Sequence, residues 1–230
     1  MSIDAAGIVA GVAAARARIA DAERRSGRTP GSTTIVAAIK YLDAGQLPAL
    51  ADAGIDRVGE NRVDQLVAKQ GAHGGLFTWD FIGQLQSRKA RELAGRVSLV
   101  HSLDSASAVA RLAAASESRQ DVLVQVNVDA DAAKAGVAVE ELPAFAELVL
   151  AEPQLRLRGL MTMPSFTADR EASRRPFAVL SSALEGLRDR YPEEPLDVLS
   201  MGTTQDFETA VEEGATLVRL GSVLFRSPTV

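Results

Sequence analysis

Short apolar runs alternate with longer stretches of helical periodicity along the whole chain. The apolar runs, which we predict as eight strands, are 33–40, 57–60, 79–83, 98–103, 122–128, 155–163, 198–202 and 217–225. Most of them are apolar throughout and do not alternate with polar residues, as expected for strands that helices cover. A helical pattern follows each of the first seven runs, and another precedes the first. This order predicts parallel strands with right-handed helical crossovers.

Eight β/α units in a chain of 230 residues favour a closed barrel over an open sheet. The predicted fold is therefore α/β: a single (β/α)8 TIM barrel over residues 1–230, with an extra N-terminal helix. No linker, low-complexity tract or internal repeat marks a second domain. The sequence stops at Val230, shortly after the last predicted strand, so we expect no C-terminal β domain.

Composition narrows the classes of function. With 47% apolar residues the chain can bury a core, and its net charge of −5 argues against a nucleic-acid or anionic-membrane surface. The absence of cysteine excludes a thiol nucleophile and cysteine-ligated zinc. The N-terminal stretch lacks a basic region and contains Arg16 and Arg18, which predicts an amphipathic helix and not a signal peptide. Since no run approaches the roughly 18 apolar residues of a membrane span, we expect a cytoplasmic protein.

The last two predicted strands end in glycine- and hydroxyl-rich segments. Ser-Met-Gly-Thr-Thr occupies 200–204, and Arg-Leu-Gly-Ser occupies 219–222. Glycine lets backbone N–H groups approach an anion, and serine or threonine adds a donor. A strand-to-helix turn with an ordinary N-cap would also explain the first segment. Because phosphate often binds at these loops in such barrels, their position favours a phosphate site.

Lys40 ends the first predicted strand, which barrel closure makes the neighbour of the eighth. One interpretation is a rim lysine that extends its ammonium into solvent. The other is a lysine whose amine forms a Schiff base with a carbonyl compound that carries a phosphate. Pyridoxal 5′-phosphate (PLP) supplies the aldehyde and the phosphate together. A lysine aldolase acting on a sugar phosphate without a cofactor is the alternative.

Other polar residues have simpler structural explanations. His101 is more often a hydrogen-bonded strand-end histidine than a base. The cluster Arg88, Lys89 and Arg91 is usually a solvated helix face. Arg219 could pair with a carboxylate such as Glu60 at the barrel rim instead of meeting a ligand.

Several motifs together resemble a known family. They are Gly-Glu-Asn (59–61), Trp-Asp-Phe-Ile-Gly-Gln-Leu-Gln-Ser-Arg-Lys (79–89), His-Ser-Leu-Asp-Ser (101–105), and the segments at 122–128, 159–163, 200–216 and 218–225. In this order they are similar to the pyridoxal phosphate homeostasis proteins, single-domain relatives of the alanine racemase barrel. The resemblance implies a barrel of the alanine racemase type with PLP held as an internal aldimine on Lys40. The cofactor contacts that it implies are Lys40, Asn61, Ser200, Gly202, Thr204, Arg219, Gly221 and Ser222.

Within that set, the resemblance implies that the Ser200 segment, Gly221 and Ser222 bind the phosphate, while Asn61 and Arg219 lie close to the cofactor. The chain departs from the family pattern at several positions. Ile39 and Tyr41 stand where serine and threonine often flank the lysine. Thr203-Thr204 replaces Met-Ser, Asp80 replaces a histidine, and Arg226 replaces the closing glycine.

The expected function is intracellular PLP homeostasis by a PLP-binding protein that is not an enzyme. If strand geometry continued, Tyr41 would point away from Lys40, and two-base racemisation would lack a second base. An Arg219 facing the pyridine nitrogen would make the ring a poor electron sink. The alternative is a low-activity PLP-dependent amino-acid racemase or decarboxylase. We expect PLP as partner, with apo PLP-dependent enzymes as possible recipients, no nucleic acid or membrane partner, and a monomer.

Overall fold

A closed β-barrel forms the centre of the fold. The computed structural model describes residues 5–129, 131, 133–167 and 169–225. Within these residues, eight strands form the barrel: β1 Thr34–Ala38, β2 Arg57–Glu60, β3 Thr78–Phe81, β4 Leu99–Leu103, β5 Gln120–Asn127, β7 Leu155–Met161, β8 Val198–Thr203 and β9 Leu217–Leu220. A further two-residue strand, β6 Val137–Ala138, pairs with the end of β5.

The barrel strands are all parallel to their neighbours. Their order is β4-β3-β2-β1-β9-β8-β7-β5, and pairing of β4 with β5 closes the ring. β1 lies between β2 and β9, with Ala37 opposite Val58 on one side and Leu220 on the other. The predicted (β/α)8 barrel is therefore confirmed, and closure does make the first and last strands neighbours.

Helices pack around the outside of the barrel. The described α-helices are α1 Ala5–Arg25, α2 Leu47–Asp52, α3 Val63–His73, α4 Ala90–Leu93, α5 Ala106–Ala115, α6 Leu142–Leu150, α7 Arg170–Arg190, α8 Phe207–Glu212 and α9 Ser222–Phe225. The predicted N-terminal helix is α1, whose residues Ile8, Val12 and Ile19 are buried. Among the described helices, none combines the length and the apolar character that a membrane crossing requires.

Buried residues fall into two groups on the two faces of the strands. The larger group lies between the strands and the helices. The smaller group fills the barrel interior and comprises Val36, Ile82, Leu99, Leu123, Met161 and Leu217. Since strand side chains alternate between faces, the residues two positions along from these also point inward. Polar side chains at those inward positions are the starting point for the site.

The ends of β1 and β9 differ from the prediction. The apolar runs 33–40 and 217–225 suggested longer strands, but the strands stop at Ala38 and Leu220. The apolar residues after Leu220 instead form α9, which packs against α1. The two helices are so close that a Cβ atom on Gly11 would lie 2.6 Å from the carbonyl oxygen of Leu224. Arg226 lies outside the described residues.

Candidate functional site

A cleft of about 600 Å³ opens at the C-terminal end of the barrel. It is lined by Ala38, Lys40, Tyr41, Asn61, Ile82, Met163, Thr203, Thr204, Gln205, Arg219, Gly221 and Ser222. Six of the eight residues predicted as cofactor contacts are in this lining, and they come from segments that are far apart in sequence. The other two, Ser200 and Gly202, are not part of it.

Lys40 follows β1 on a stretch of backbone that its neighbours hold in place. The N–H of Ile39 donates to the Gly59 carbonyl at 3.0 Å. The Ile39 carbonyl accepts a hydrogen bond from Lys69 Nζ at 2.8 Å, and the same ammonium pairs with Glu60 at 2.6 Å. Both charged side chains are buried. The attachment point of Lys40 is thus fixed, while its side chain is exposed to the cleft.

Tyr41 also lines the cleft, and the expectation that it points away from Lys40 is wrong. The strand ends at Ala38, and the N–H of Leu42 donates to the Ile39 carbonyl, so residues 39–42 form a turn in which strand alternation no longer applies. The Lys40 ammonium lies 4.8 Å from the centroid of the Tyr41 ring, a cation–π contact. The tyrosine is 70% exposed, so this part of the cleft wall faces solvent.

Asn61 lies at the end of β2, where Glu60 and a glycine define its position. Its N–H donates to Glu60 Oε1 at 2.7 Å. A Cβ atom on Gly83 would come within 2.0 Å of the Asn61 carbonyl oxygen. Only glycine at position 83 therefore lets the loop after β3 run this close to Asn61. The Asn61 side-chain oxygen is buried and has no hydrogen-bond partner among the described residues. A buried amide without a partner is available to a ligand.

Hydroxyl and N–H groups meet at the ends of β8 and β9. The Gly221 nitrogen lies 3.4 Å from Thr204 Oγ1, and Ser222 follows directly in the same lining. Asp206 fixes the turn after β8, since its Oδ1 accepts from the N–H of Thr203 at 2.6 Å and from its hydroxyl at 3.1 Å. The set of Thr204, Gly221 and Ser222 has the donor chemistry of a phosphate site.

Gly202 belongs to the packing of the barrel wall. It is buried with φ +89°, and a Cβ atom there would lie 2.6 Å from the Ala210 Cβ of α8. Only glycine therefore allows β8 to bend this closely against α8. Gly202 was predicted as a cofactor contact, but it faces α8. Its lack of a side chain is needed for the packing of β8 against this helix.

Arg219 combines deep burial with a place in the cleft wall. It is 5% exposed, and its guanidinium donates to Ser200 O at 2.8 Å, Ser200 Oγ at 2.7 Å and Thr162 O at 2.7 Å. Burial lowers the pKa of Arg219 to about 10, while the charge of Asp206 opposes this shift. The alternative that Arg219 pairs with Glu60 is wrong, because Glu60 is engaged by Lys69.

Ser200 lies inside the barrel and is fully buried. Its hydroxyl meets both the Arg219 guanidinium and His101 Nδ1, the latter at 2.9 Å. The predicted role of Ser200 as a phosphate ligand does not fit this position. Sequence analysis missed the connection to His101 and Asp80, although polar residues at inward positions of otherwise apolar strands were a visible signal.

The residues of the cleft fit an aldehyde that carries a phosphate. Lys40 offers a primary amine, the Thr204, Gly221 and Ser222 set offers anion donors, and Arg219 offers guanidinium hydrogens between them. Among the described residues there is no group of three His, Asp or Glu side chains that could hold a metal ion. The amine together with the anion donors is suited to nucleophilic amine chemistry on a phosphorylated carbonyl compound.

Comparison with known proteins identifies the family of this chain. The family profile described as "Alanine racemase, N-terminal domain" matches residues 12–228. The chain is 40% identical to the pyridoxal phosphate homeostasis protein of Pseudomonas aeruginosa over 225 residues, which cover 95% of this chain and 94% of that protein. PipY of Synechococcus elongatus PCC7942, solved with PLP bound, is 31% identical and has a TM-score of 0.79, with coverage of 90% of this chain and 99% of PipY.

A more distant likeness concerns the fold alone. Alanine racemase of Corynebacterium glutamicum is 15% identical, with a TM-score of 0.73 and coverage of 99% of this chain and 62% of the racemase. Because the sequence matches these relatives over nearly the whole length of the chain, the chain belongs to the pyridoxal phosphate homeostasis protein family, which is built on the alanine racemase N-terminal barrel.

Proposed function

We propose that this chain binds PLP covalently through Lys40 and holds it as part of intracellular PLP homeostasis. The observation that carries the proposal is a single cleft with a primary amine just after β1 and anion donors just after β8 and β9. The names of the relatives and the PLP bound in PipY support the same cofactor. A cofactor-free aldolase would have the same lysine and phosphate donors, but it would be colourless as purified, whereas a lysine that holds PLP makes the protein yellow.

Each end of the cleft has a distinct task in this proposal. Thr204, Gly221 and Ser222 would hold the phosphate, and Asn61 and Arg219 would hold the ring. When bound, PLP supplies an aldehyde that reacts with amines and a ring that withdraws electrons. Arg219, with a pKa of about 10, remains charged at neutral pH and donates hydrogen bonds without giving up a proton. An arginine at the ring nitrogen would thus leave the ring a weak electron sink, which favours holding over catalysis.

The low-activity racemase or decarboxylase remains the second candidate because of one observation, the place of Tyr41. Its ring lies beside the Lys40 ammonium at 4.8 Å, so a phenol is present in the cleft. Two-base racemisation requires the second base on the opposite face of the substrate from the lysine, whereas Tyr41 is the direct neighbour of Lys40. We therefore expect turnover with common amino acids far below the typical enzyme value of about 10 per second. A rate near that value, lost in Tyr41→Phe, would establish the enzyme instead.

The attachment to Lys40 is tested by reduction and peptide mapping. Protein incubated with PLP should become yellow, and borohydride should fix the cofactor on the peptide that contains Lys40. Lys40→Ala should abolish the colour. Lys89→Ala is the matched control, because Lys89 is exposed, pairs with Glu92 and does not line the cleft, so this variant should leave binding unchanged. Fixation on another lysine with Lys40 unmodified would refute the proposal.

Recipient apo-enzymes are a further part of the proposal, supported by the exposed rim of the cleft at Tyr41 and Met163, which are 70% and 54% exposed. Transfer is measured by mixing the PLP-loaded protein with an apo PLP-dependent enzyme and following its recovered activity. A rate that rises with acceptor concentration indicates direct transfer, whereas a constant rate equal to PLP release indicates buffering. The monomeric state and the cytoplasmic location remain predictions.

A further inference from the structure

A line of polar side chains crosses the barrel interior from one end to the other. Arg57 on β2 donates to Asp80 on β3 through Nε at 2.6 Å and Nη2 at 3.0 Å. Asp80 Oδ2 lies 3.1 Å from His101 Nε2 on β4. His101 Nδ1 lies 2.9 Å from Ser200 Oγ on β8, which accepts from Arg219 on β9 at 2.7 Å. We call Asp80, His101 and Ser200 the relay.

The relay is enclosed by the apolar interior of the barrel. Asp80, His101 and Ser200 are each 0% exposed. Burying polar and charged groups in such surroundings is costly unless every one is hydrogen-bonded. Five side chains from five different strands, Arg57 to Arg219, are linked in this way by hydrogen bonds. An isolated polar contact would not produce such a continuous line. The apolar residues around it are Val36, Ile82, Leu99, Leu123, Met161 and Leu217.

The donors and acceptors along the relay have one consistent direction. The Asp80 carboxylate can only accept, so His101 Nε2 carries the hydrogen. His101 Nδ1 is then the acceptor, and the Ser200 hydroxyl donates to it. The Ser200 oxygen has its lone pairs left for Arg219. Burial lowers the pKa of His101 and outweighs the opposing hydrogen bond and charge of Asp80, while the charges of Arg219 and Arg57 act in the same direction as burial, so the neutral imidazole is favoured.

This direction determines which hydrogens of Arg219 remain free. One terminal nitrogen donates to both oxygens of Ser200, and the other donates to the Thr162 carbonyl. The hydrogen on Nε and one on the second terminal nitrogen have no acceptor among the described residues, while Arg219 lines the cleft. A buried guanidinium with unused hydrogens has donors available for an acceptor on a bound ligand.

We propose that Asp80, His101 and Ser200 are positioning residues that hold Arg219 as a hydrogen-bond donor to the ring of the bound cofactor, an inference that rests on the proposed function. Asp80 stands where the family often has histidine. In this chain the line of hydrogen bonds therefore begins with an ion pair between Arg57 and Asp80. The relay acts on the cofactor only through Arg219.

The sequence Asp–His–Ser of hydrogen bonds also occurs in hydrolases, where the serine is a nucleophile. Here the Ser200 oxygen is fully buried and accepts from Arg219. It neither reaches the cleft nor is free to attack a substrate. The relay therefore orients a cation and does not activate a nucleophile.

The test compares PLP with pyridoxal, the same aldehyde without the phosphate. If Ser200 acts through Arg219 on the ring, Ser200→Ala raises the Kd of both aldehydes by about tenfold, the size of one lost hydrogen bond. Ser222→Ala, at the phosphate end, raises the Kd of PLP alone. Ser116→Ala is the control for a lost buried hydroxyl, because it bonds to the Leu112 carbonyl in α5 and should leave both constants unchanged.

The outcomes separate the relay from the proposed function. An effect of Ser200→Ala on PLP alone would place the serine at the phosphate and overturn the relay, as would no effect on either aldehyde. If the wild-type chain binds neither aldehyde, the proposed function fails instead. The relay geometry is then decided on the ligand-free protein by nitrogen NMR of His101. A proton on Nε2, with an Nδ1 shift that moves in Ser200→Ala, supports it; an Nδ1 shift that does not move overturns it.

A second pair of variants guards against a simple loss of folding. His101→Gln retains one donor and one acceptor, as the neutral imidazole does, whereas His101→Leu retains neither. We expect the glutamine variant to bind PLP with an absorption maximum and a Kd close to wild type. The leucine variant should lose about tenfold in affinity even where its thermal unfolding shows a folded protein. Equal binding by both variants would overturn the relay.

Discussion

Lys40 and Tyr41 illustrate how one residue beyond a strand changes the chemistry of a site. Strand alternation would have sent the two side chains to opposite faces, but the turn at 39–42 brings both into the cleft. The ring then covers the amine at 4.8 Å. Lys40, Asn61 and Arg219 could be predicted from position at strand ends. The orientation of Tyr41 could not, because it depends on where the strand stops.

The contact between Tyr41 and Lys40 gives a kinetic prediction. An exposed cation–π contact is worth about 0.5–1 kcal/mol. Tyr41→Ala removes it and uncovers the amine, so PLP capture should accelerate by about two- to fivefold. Stopped-flow absorption after mixing with PLP measures the rate. Tyr41→Phe keeps the ring and should stay within about twofold of wild type; a phenylalanine variant as fast as the alanine one would mean that the hydroxyl, not the ring, matters.

The buried His101 predicts a pH dependence of stability. Its pKa in the folded protein lies below the ordinary value of 6.5, so the unfolded chain takes up the proton first as the pH falls. The free energy of unfolding should therefore decrease from about pH 6.5 downward, by up to about 1.4 kcal/mol per pH unit for one proton. Urea unfolding at several pH values measures this. His101→Gln cannot titrate and should have a flatter profile; an unchanged slope would contradict the assignment.

At the scale of elements, the pattern of apolar runs was sufficient for the strands but not for all their ends. The short run 57–60 is β2, with the bounds that were predicted. The run 217–225 was divided, since its second half packs on α1 and this long-range contact leaves no mark in local periodicity. The positions of Ser200 and Gly202 outside the cleft lining could not be predicted for the same reason, because their partners come from other strands and helices.

The Glu60–Lys69 pair joins β2 and α3 to the backbone before Lys40. Lys69→Met leaves a buried Glu60 charge unpaired and should destabilise the fold by about 3–5 kcal/mol. Adding Glu60→Gln should restore part of that stability. The Ile39 carbonyl still lacks its donor in the double variant, so PLP affinity should remain reduced. Urea unfolding and PLP titration measure the two effects.

An exposed pair provides the control for this prediction. Lys89 and Glu92 form an exposed ion pair outside the cleft lining, so Lys89→Met should change the free energy of unfolding by less than about 1 kcal/mol and leave PLP affinity intact. If the Glu60/Lys69 double variant regained full PLP affinity, the buried pair would serve stability only and would not position Lys40.

For the molecule as a whole, barrel closure determines what lies beside what. The first and last strands become neighbours, which brings Lys40 to Arg219, Gly221 and Ser222 across the cleft. The chain after β9 then turns into α9, whose first residue, Ser222, lines the cleft. Because α9 packs on α1, the N-terminal helix contacts the helix that begins at the proposed phosphate end of the cleft.

Gly11 is the point where that contact is tightest, and it gives a prediction for the whole molecule. A Cβ atom at Gly11 would lie 2.6 Å from the Leu224 carbonyl oxygen, whereas one at Gly71 in α3 would meet nothing within 4 Å. Gly71→Ala should therefore stabilise the fold by up to about 1 kcal/mol through helix propensity. Gly11→Ala gains the same propensity but must push α1 from α9, so we expect a net loss of about 1–3 kcal/mol.

The displacement of α9 should also reach Ser222 and weaken PLP binding in Gly11→Ala but not in Gly71→Ala. Chemical unfolding gives the stability change, and PLP titration of the folded variants gives the affinity. Pyridoxal, which lacks the phosphate, should bind both variants alike, since the disturbance begins at the phosphate end. A Gly11→Ala protein that is destabilised yet binds PLP as wild type does would mean that α9 absorbs the strain before it reaches the cleft, and that α1 supports the barrel without influencing its site.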